Sequence, residues 1–364
     1  MNTFGFIIHP IDPKRDVERK FPLLGKVLPV PAIHFLSRFF PPVYISHVTG
    51  ARSTASGAEI EGWFVACPFT PQRMLTLPVK TVYNKIVKTV KLAQRRGARL
   101  VGLGAFTSVV GDAGVTIAQQ VDVPVTTGDS YTVATAQQAV REAARRMEIN
   151  LRRATAAVVG ASGAIGSASA QFLARDVPRL ILIGRRADRL AQVQAQCEAL
   201  GADVRVGSDL ADVRLADVIL TVSSAGDAII LPHHLKSGAV VCDVARPRDV
   251  SRRVAEERDD VLVIEGGMVE VPGEVEFHFD FGFPPRMAYA CMAETMALAM
   301  DNRYQAFTLG KDIRIAQVEE IDSIARRHGF KLGGFRSFEH AVSDEQIEAI
   351  KRRARSKLVS AVVR

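Results

Sequence analysis

The sequence predicts an α/β chain with an N-terminal α/β domain, a doubly wound parallel sheet in the middle and a helical C-terminal segment. Three observations carry that reading. Gly160, Gly163 and Gly166 stand between the apolar run 156–159 and a small-residue helix, with a second apolar run at 180–183. Strand, glycine turn, helix, strand is the half-unit of a doubly wound sheet. After Arg186 short apolar runs keep alternating with helical patterns as far as Glu265. From Phe283 the pattern is helical.

In chain order, 4–8, 43–48 and 60–67 read as strands, being apolar, β-branched or aromatic and short. Val79, Val82, Ile86, Val90 and Leu92 recur at helical spacing, and Gly97 follows as a C-cap, so 79–96 reads as a helix. Residues 100–104 form a strand running into a glycine-rich loop. The alanine-rich stretch 130–147 is a helix leading into the glycine turn. Next come helix 189–200 and strands 203–206, 218–222, 239–244 and 261–265. Helices are expected at 285–300, 313–329 and 344–359, the last with a capping box from Ser343 and Gln346. The expected domains are 1–150, binding substrate, 151–282, binding nucleotide, and 283–364, helical. Residues 21–45 are apolar, aromatic and proline-rich without a clean period. They read as irregular core, as the lining of an acyl-chain tunnel, or as a strip touching a membrane surface.

The glycine turn is a Rossmann dinucleotide site. Gly160 turns the chain off the strand, Gly163 admits the pyrophosphate, and Gly166 lets the helix pack on the sheet. The phosphates meet free N–H groups at the helix start, which makes Ser162, Ala164 and Ile165 part of the site. The second strand ends Gly184-Arg185-Arg186, with no carboxylate before Asp188. A carboxylate there bonds a ribose 2′-hydroxyl, whereas guanidinium groups suit a 2′-phosphate. The expected cofactor is therefore NADPH. Ser223 and Gly267, after later strands, complete the predicted cofactor set.

Composition narrows the remaining classes. The 364 residues suffice for two or three domains. Cys67, Cys197, Cys242 and Cys291 are widely spaced, which excludes a zinc knuckle and argues against a disulfide framework; no metal is expected. The net charge of +8, from 47 basic and 39 acidic residues, is dispersed. Lacking basic runs interleaved with aromatics, it excludes nucleic acid and suits an acidic partner. No apolar stretch is long enough to span a membrane. The first residues lack a basic leader before an apolar run, so the expected location is the cytoplasm.

Pro284 and Pro285 mark a helix start and place Cys291 about two turns in, where the helix N-terminus favours a thiolate but its dipole has weakened. By itself such a cysteine reads as core or as a nucleophile. Further motifs bear on the choice: EGWFVACPFTPQRML (61–75), GLGAFTSVV (102–110), TTGDSYT (126–132), AVVGASGAIGSA (157–168), EGGMVE (265–270) and MAYACMAE (287–294). With these the chain resembles the long-chain acyl-acyl-carrier-protein reductases that form fatty aldehydes, best known from cyanobacteria. The similarity runs from about Phe4 to Gly329; Tyr131 stands where that family often has histidine.

The resemblance implies that Cys291 accepts the acyl group from a carrier-protein or coenzyme A thioester. Reduction by NADPH then gives an aldehyde, which an aldehyde-consuming enzyme would take as partner. Thr127, Gly128 and Ser130, at a helix start, could donate hydrogen bonds to the developing oxyanion, or the segment could serve ordinary N-capping by Asp129 or Ser130. Two readings need no reactive cysteine. One is a shikimate-dehydrogenase-like reductase pairing Lys80, Lys85 or Lys88 with Asp112 or Asp129. The other is a non-catalytic NADPH-binding sensor.

Overall fold

In the computed structural model, which describes residues 2–207, 209–225 and 227–362, the chain forms two compact units. Unit 1 comprises Met1–Tyr131, Val269–Asp312 and Glu319–Lys331; unit 2 comprises Thr132–Met268, Ile313–Val318 and Leu332–Arg364. The chain thus crosses between units several times, unlike the expected division at residues 150 and 282. The helical tail is shared out: Ala290–Met300 packs on the sheet of unit 1, and Asp344–Val362 belongs to unit 2.

Unit 1 holds β1 (Asn2–Ile8), β2 (Val43–Arg52), β3 (Glu59–Ala66), β4 (Val101–Leu103) and β5 (Val125–Thr126). Their order is β2-β3-β1-β4-β5, with the strand Gly273–Glu276 outside β2. The run β3-β1-β4-β5 is parallel, and β2 is antiparallel to β3. Side chains alternate across the sheet. Ile7, Val65 and Val101 share a core cluster with Val82, Ile86 and Val90 of the helix Val79–Arg95. The opposite face is met by the helix Ala290–Met300, which packs on β1, β3 and β4. There Gly102 leaves room for Thr295; a Cβ on it would lie 2.2 Å from Thr295 Oγ1.

Unit 2 holds β6 (Thr155–Val159), β7 (Arg179–Ile183), β8 (Asp203–Gly207), β9 (Val218–Thr221), β10 (Val240–Asp243) and β11 (Leu262–Glu265). All pair in parallel, in the order β8-β7-β6-β9-β10-β11. This is the doubly wound nucleotide-binding arrangement, with its order reversing between β6 and β9. Successive residues feed two cores: Ala156, Val158, Leu180 and Leu182 on one face, Ala157, Val159, Ile181 and Ile183 on the other. Burial on both faces explains why these strands read as unbroken apolar runs. The helix Asp344–Val362 adds Ile347 to the first of these cores. Its capping box forms: Ser343 N–H donates to Gln346 Oε1 at 2.9 Å, and Gln346 N–H to Ser343 Oγ at 3.3 Å.

Two expectations are corrected. Residues 21–45 are neither irregular nor plain core. They contain the helices Pro22–Val27 and Val30–Ser37, and Leu23, Val27, Phe35 and Phe39 are 58–80% exposed. The expected helix 285–300 starts only at Ala290, after a short strand, Met287–Tyr289. Arg286 has a φ of +65° and its carbonyl accepts from Val271 N–H at 2.9 Å. An αL residue bonded across to another segment cannot belong to a helix, so the prolines introduce a turn instead.

Candidate nucleotide site and cysteine site

The glycine turn leaves β6 with a φ of +89° at Gly160, where a Cβ would lie 2.6 Å from the Val222 carbonyl. At Gly166 a Cβ would come within 2.2 Å of the Gly160 carbonyl, so the helix Ala164–Asp176 can close on the turn only without one. Gly163 differs. Only the Gly160 oxygen, at 3.3 Å, would touch its Cβ, so the space beside it is open. Gly163 caps the helix without a side-chain bond, which leaves the N–H groups of Ala164, Ile165 and Gly166 facing that space. An open glycine beside free helix amides fits a pyrophosphate.

Arg185 and Arg186 follow β7 at the same edge. Arg186 Nη2 donates to the Ser162 carbonyl, and Arg185 Nη2 to Ser224 Oγ at 3.4 Å. No carboxylate occupies the end of β7, and this is an NADP(H)-binding Rossmann unit. Ser223, just beyond β9, donates both N–H (2.7 Å) and hydroxyl (2.6 Å) to Asp249, which holds the loop beside the turn. Gly267 follows β11, the outermost strand and two strands beyond β9. It shares the edge but not the turn.

In unit 1, Cys67 is buried, as Cys197 and Cys242 are in unit 2, while Cys291 is half-buried. It is the second residue of its helix, a turn and more nearer the N-terminus than the sequence suggests. Gly128, with φ +78°, lies flat against it. A Cβ there would fall 2.3 Å from Cys291 Cα and 2.4 Å from its Cβ. The expectation of a stabilised thiolate does not hold at rest. Burial and the Asp129 and Glu294 carboxyls push the thiol up to about 12, although the N–H groups of Met292 and Cys291 oppose this. Burial and Glu294 in turn raise Asp129 to about 7.

The predicted oxyanion donors prove to be largely engaged. Glu294, fully buried three residues after Cys291, collects Thr126 Oγ1, Tyr131 N–H and Thr308 Oγ1 at 2.5–2.9 Å, and Gly128 N–H as well. Thr127 N–H donates to the Thr308 carbonyl at 2.9 Å. Each hydroxyl has a single proton. Ser130 therefore donates to Thr308, 2.8 Å away, and Thr308 donates to Glu294. The Thr127 hydroxyl is buried without a well-formed hydrogen bond; its weak contact with Asp129 opposes that carboxyl's rise.

Sequence reasoning missed Glu294 and Thr308, and saw Asp129 as a capping group or as a lysine's partner, not as a neighbour of Cys291. Glu294 stood within the MAYACMAE motif at helical spacing from Cys291, the one signal available. The lysine–aspartate pairs do not form. Lys85 donates to the Arg38 and Phe40 carbonyls, Asp112 caps Thr116, and no lysine reaches Asp129 among the described residues. No described helix is long and apolar enough to cross a membrane.

Residues 141–265 match the family of shikimate/quinate 5-dehydrogenases. The chain is 30% identical over 304 residues to the aminotransferase PigE of Serratia sp., covering 82% of this chain but 36% of that protein. It is 29% identical over 306 residues to the long-chain acyl-[acyl-carrier-protein] reductase of Synechococcus elongatus, covering 80% of this chain and 87% of that one. Glutamyl-tRNA reductase from Methanopyrus kandleri overlaps 75% of this chain and 56% of its own, at 18% identity and a TM-score of 0.31, too little to bear on function.

Proposed function

We propose that this protein is an NADPH-dependent oxidoreductase that reduces a fatty acyl thioester to an aldehyde, with Cys291 as acyl acceptor. The observation that carries the reading is the seat of Cys291. It is the cysteine of the four that is only half-buried, at a helix N-terminus, against a glycine and beside a carboxyl raised to about 7. Similarity over most of the chain to an acyl-carrier-protein reductase supports the substrate class.

Asp129 accepts the Cys291 proton as the sulfur attacks the thioester carbonyl. A new sulfur–carbon bond forms, the bond to the carrier's sulfur breaks, and Asp129 returns the proton to the departing thiol. The acyl group now sits on Cys291. When bound, the nicotinamide supplies a hydride to this acyl carbon. The resulting thiohemiacetal anion collapses, the carbon–Cys291 bond breaks, and aldehyde leaves while the thiolate regains a proton. The Thr127 hydroxyl and the amides of Cys291 and Met292 are the donors for the oxyanion, Gly128 gives the acyl carbon its approach, and Ser130 positions the Thr308–Glu294 chain. Arg185 and Arg186 would hold the 2′-phosphate, while Ser162, Gly163 and the helix amides would hold the pyrophosphate.

A cavity of about 100 Å³ lined by Val17, Phe21, Leu24, Ile33, Leu36 and Phe40 offers an apolar place for the acyl chain. Pro10 and Pro68, which also line it, follow β1 and β3, and so lie at the same sheet edge as Gly128.

Mass spectrometry after incubation with acyl thioester and no NADPH tests the reading: an acyl adduct on Cys291 is expected. Cys291→Ser should abolish aldehyde formation with NADPH affinity intact, because a serine hydroxyl is a far weaker nucleophile than sulfur even with Asp129 as its base. Turnover retained by that variant would sink the covalent route.

A further inference from the structure

The helix Val79–Arg95 carries Lys80, Lys85, Lys88, Lys91 and Arg95 and no acidic residue in 17 positions. Lys80, Asn84, Lys88, Lys91 and Arg95 are exposed and recur at spacings of four, four, three and four, so they line one outward face. Among the described residues none of these four basic side chains has an acidic partner. The C-terminal helix, equally basic to the eye, differs. Its Lys351, Arg353, Arg355 and Lys357 pair with Glu148, Glu348 and Asp259. Like charges three or four apart weaken a helix. Nothing local offsets that cost on the helix Val79–Arg95. Leu75 (71% exposed) and Val79 (46%) add an apolar spot at its N-terminal end.

The topology fixes where that end lies. The helix follows β3 and packs back on β3 and β1, so its N-terminus sits at the edge where the parallel strands end. From that edge Thr127–Asp129 leave β5 to meet Cys291.

Resting on the thioester reading above, we propose that this face is the docking surface for an acidic carrier protein. The Lys80 end receives the carrier, and its flexible thioester arm passes over the sheet edge toward Cys291. A basic stripe with an apolar spot at one end complements an acidic protein surface and steers its approach.

The test compares two charge-reversed proteins, Lys80→Glu with Lys88→Glu, and Lys91→Glu with Arg95→Glu, on two substrates. One substrate is the acylated carrier; the other is the same acyl group on N-acetylcysteamine, which is neutral. The first pair should raise KM for the carrier about tenfold or more, the second pair by less, with kcat unchanged. KM for the neutral thioester and NADPH affinity should stay put, which also reports that both proteins fold. A carrier KM unchanged in the first pair overturns the proposal, as does an equal rise on both substrates. So does loss of binding to phosphatidylglycerol vesicles without change in carrier KM, which would mark a lipid surface instead. Carrier binding is read separately by fluorescence anisotropy. A wild-type protein that binds the carrier through this face but reduces neither thioester would end the functional reading and leave the docking surface standing.

Discussion

The Cys291 thiol is pushed up by burial, so the proposed acylation needs a proton acceptor beside it. Asp129 titrates near pH 7, and its negative charge is one cause of the raised thiol. Below that pH the carboxyl is protonated and cannot take the thiol proton; above it, it can. Turnover should therefore climb as pH passes about 7, and Asp129→Asn should remove that limb of the profile. The same substitution deletes a negative charge beside the sulfur, so iodoacetamide should alkylate Cys291 faster at fixed pH while turnover falls. Slower alkylation would show that Asp129 does not face the thiol. Gly128 adds a steric condition. Gly128→Ala places a methyl 2.3 Å from Cys291 Cα at a φ of +78°. Strain of about 1–3 kcal/mol is expected, together with loss of acylation. A urea midpoint and an acylation rate matching the parent would refute the contact.

At the scale of elements, the turn from β6 into the helix Ala164–Asp176 and the end of β7 act together. Arg186 already bonds the Ser162 carbonyl, so it positions the glycine turn as well as offering charge. Replacing Arg185 and Arg186 by alanine should weaken NADPH far more than NADH, each lost phosphate bond costing about 1.5–3 kcal/mol. Titrations that find both cofactors weakened equally would assign the arginines to turn geometry alone. The glycine spacing, both strands and the helix were legible in the sequence because each is a local pattern. The start of the cysteine helix was not. A proline pair marks a helix start or a turn equally well, and the bond between Val271 and Arg286, fifteen positions apart, chose the turn.

Over the whole molecule, two buried acids set an unusual slope of stability with pH. Asp129 in unit 1 and Asp243 in unit 2 are raised to about 7 and about 6, chiefly by burial. Their folded pKa values exceed the unfolded value, so the stability they contribute is complete below about pH 4 and is lost as pH rises through 6 and 7. Glu142, held down to about 2 by Arg145 and Arg146, acts oppositely: its contribution is present above about pH 4.5 and is lost as pH falls toward 2. Buried His9, lowered to about 4, works against the two acids below pH 6.5. With two acids against this histidine, urea midpoints should still be higher near pH 5 than near pH 8, and Asp243→Asn should flatten the decline between them. A midpoint that keeps rising to pH 8 would count against buried, protonatable acids. What the sequence alone determined was local: the doubly wound sheet, its glycine turn, a phosphorylated dinucleotide as cofactor, and Cys291 as the residue to watch. What only the tertiary structure decided was which distant residues meet. Glu294 gathers donors from 126, 128, 131 and 308, Gly128 closes on Cys291, and the tail divides between two units. Those contacts join residues up to about 170 positions apart, and no periodicity along a chain records them.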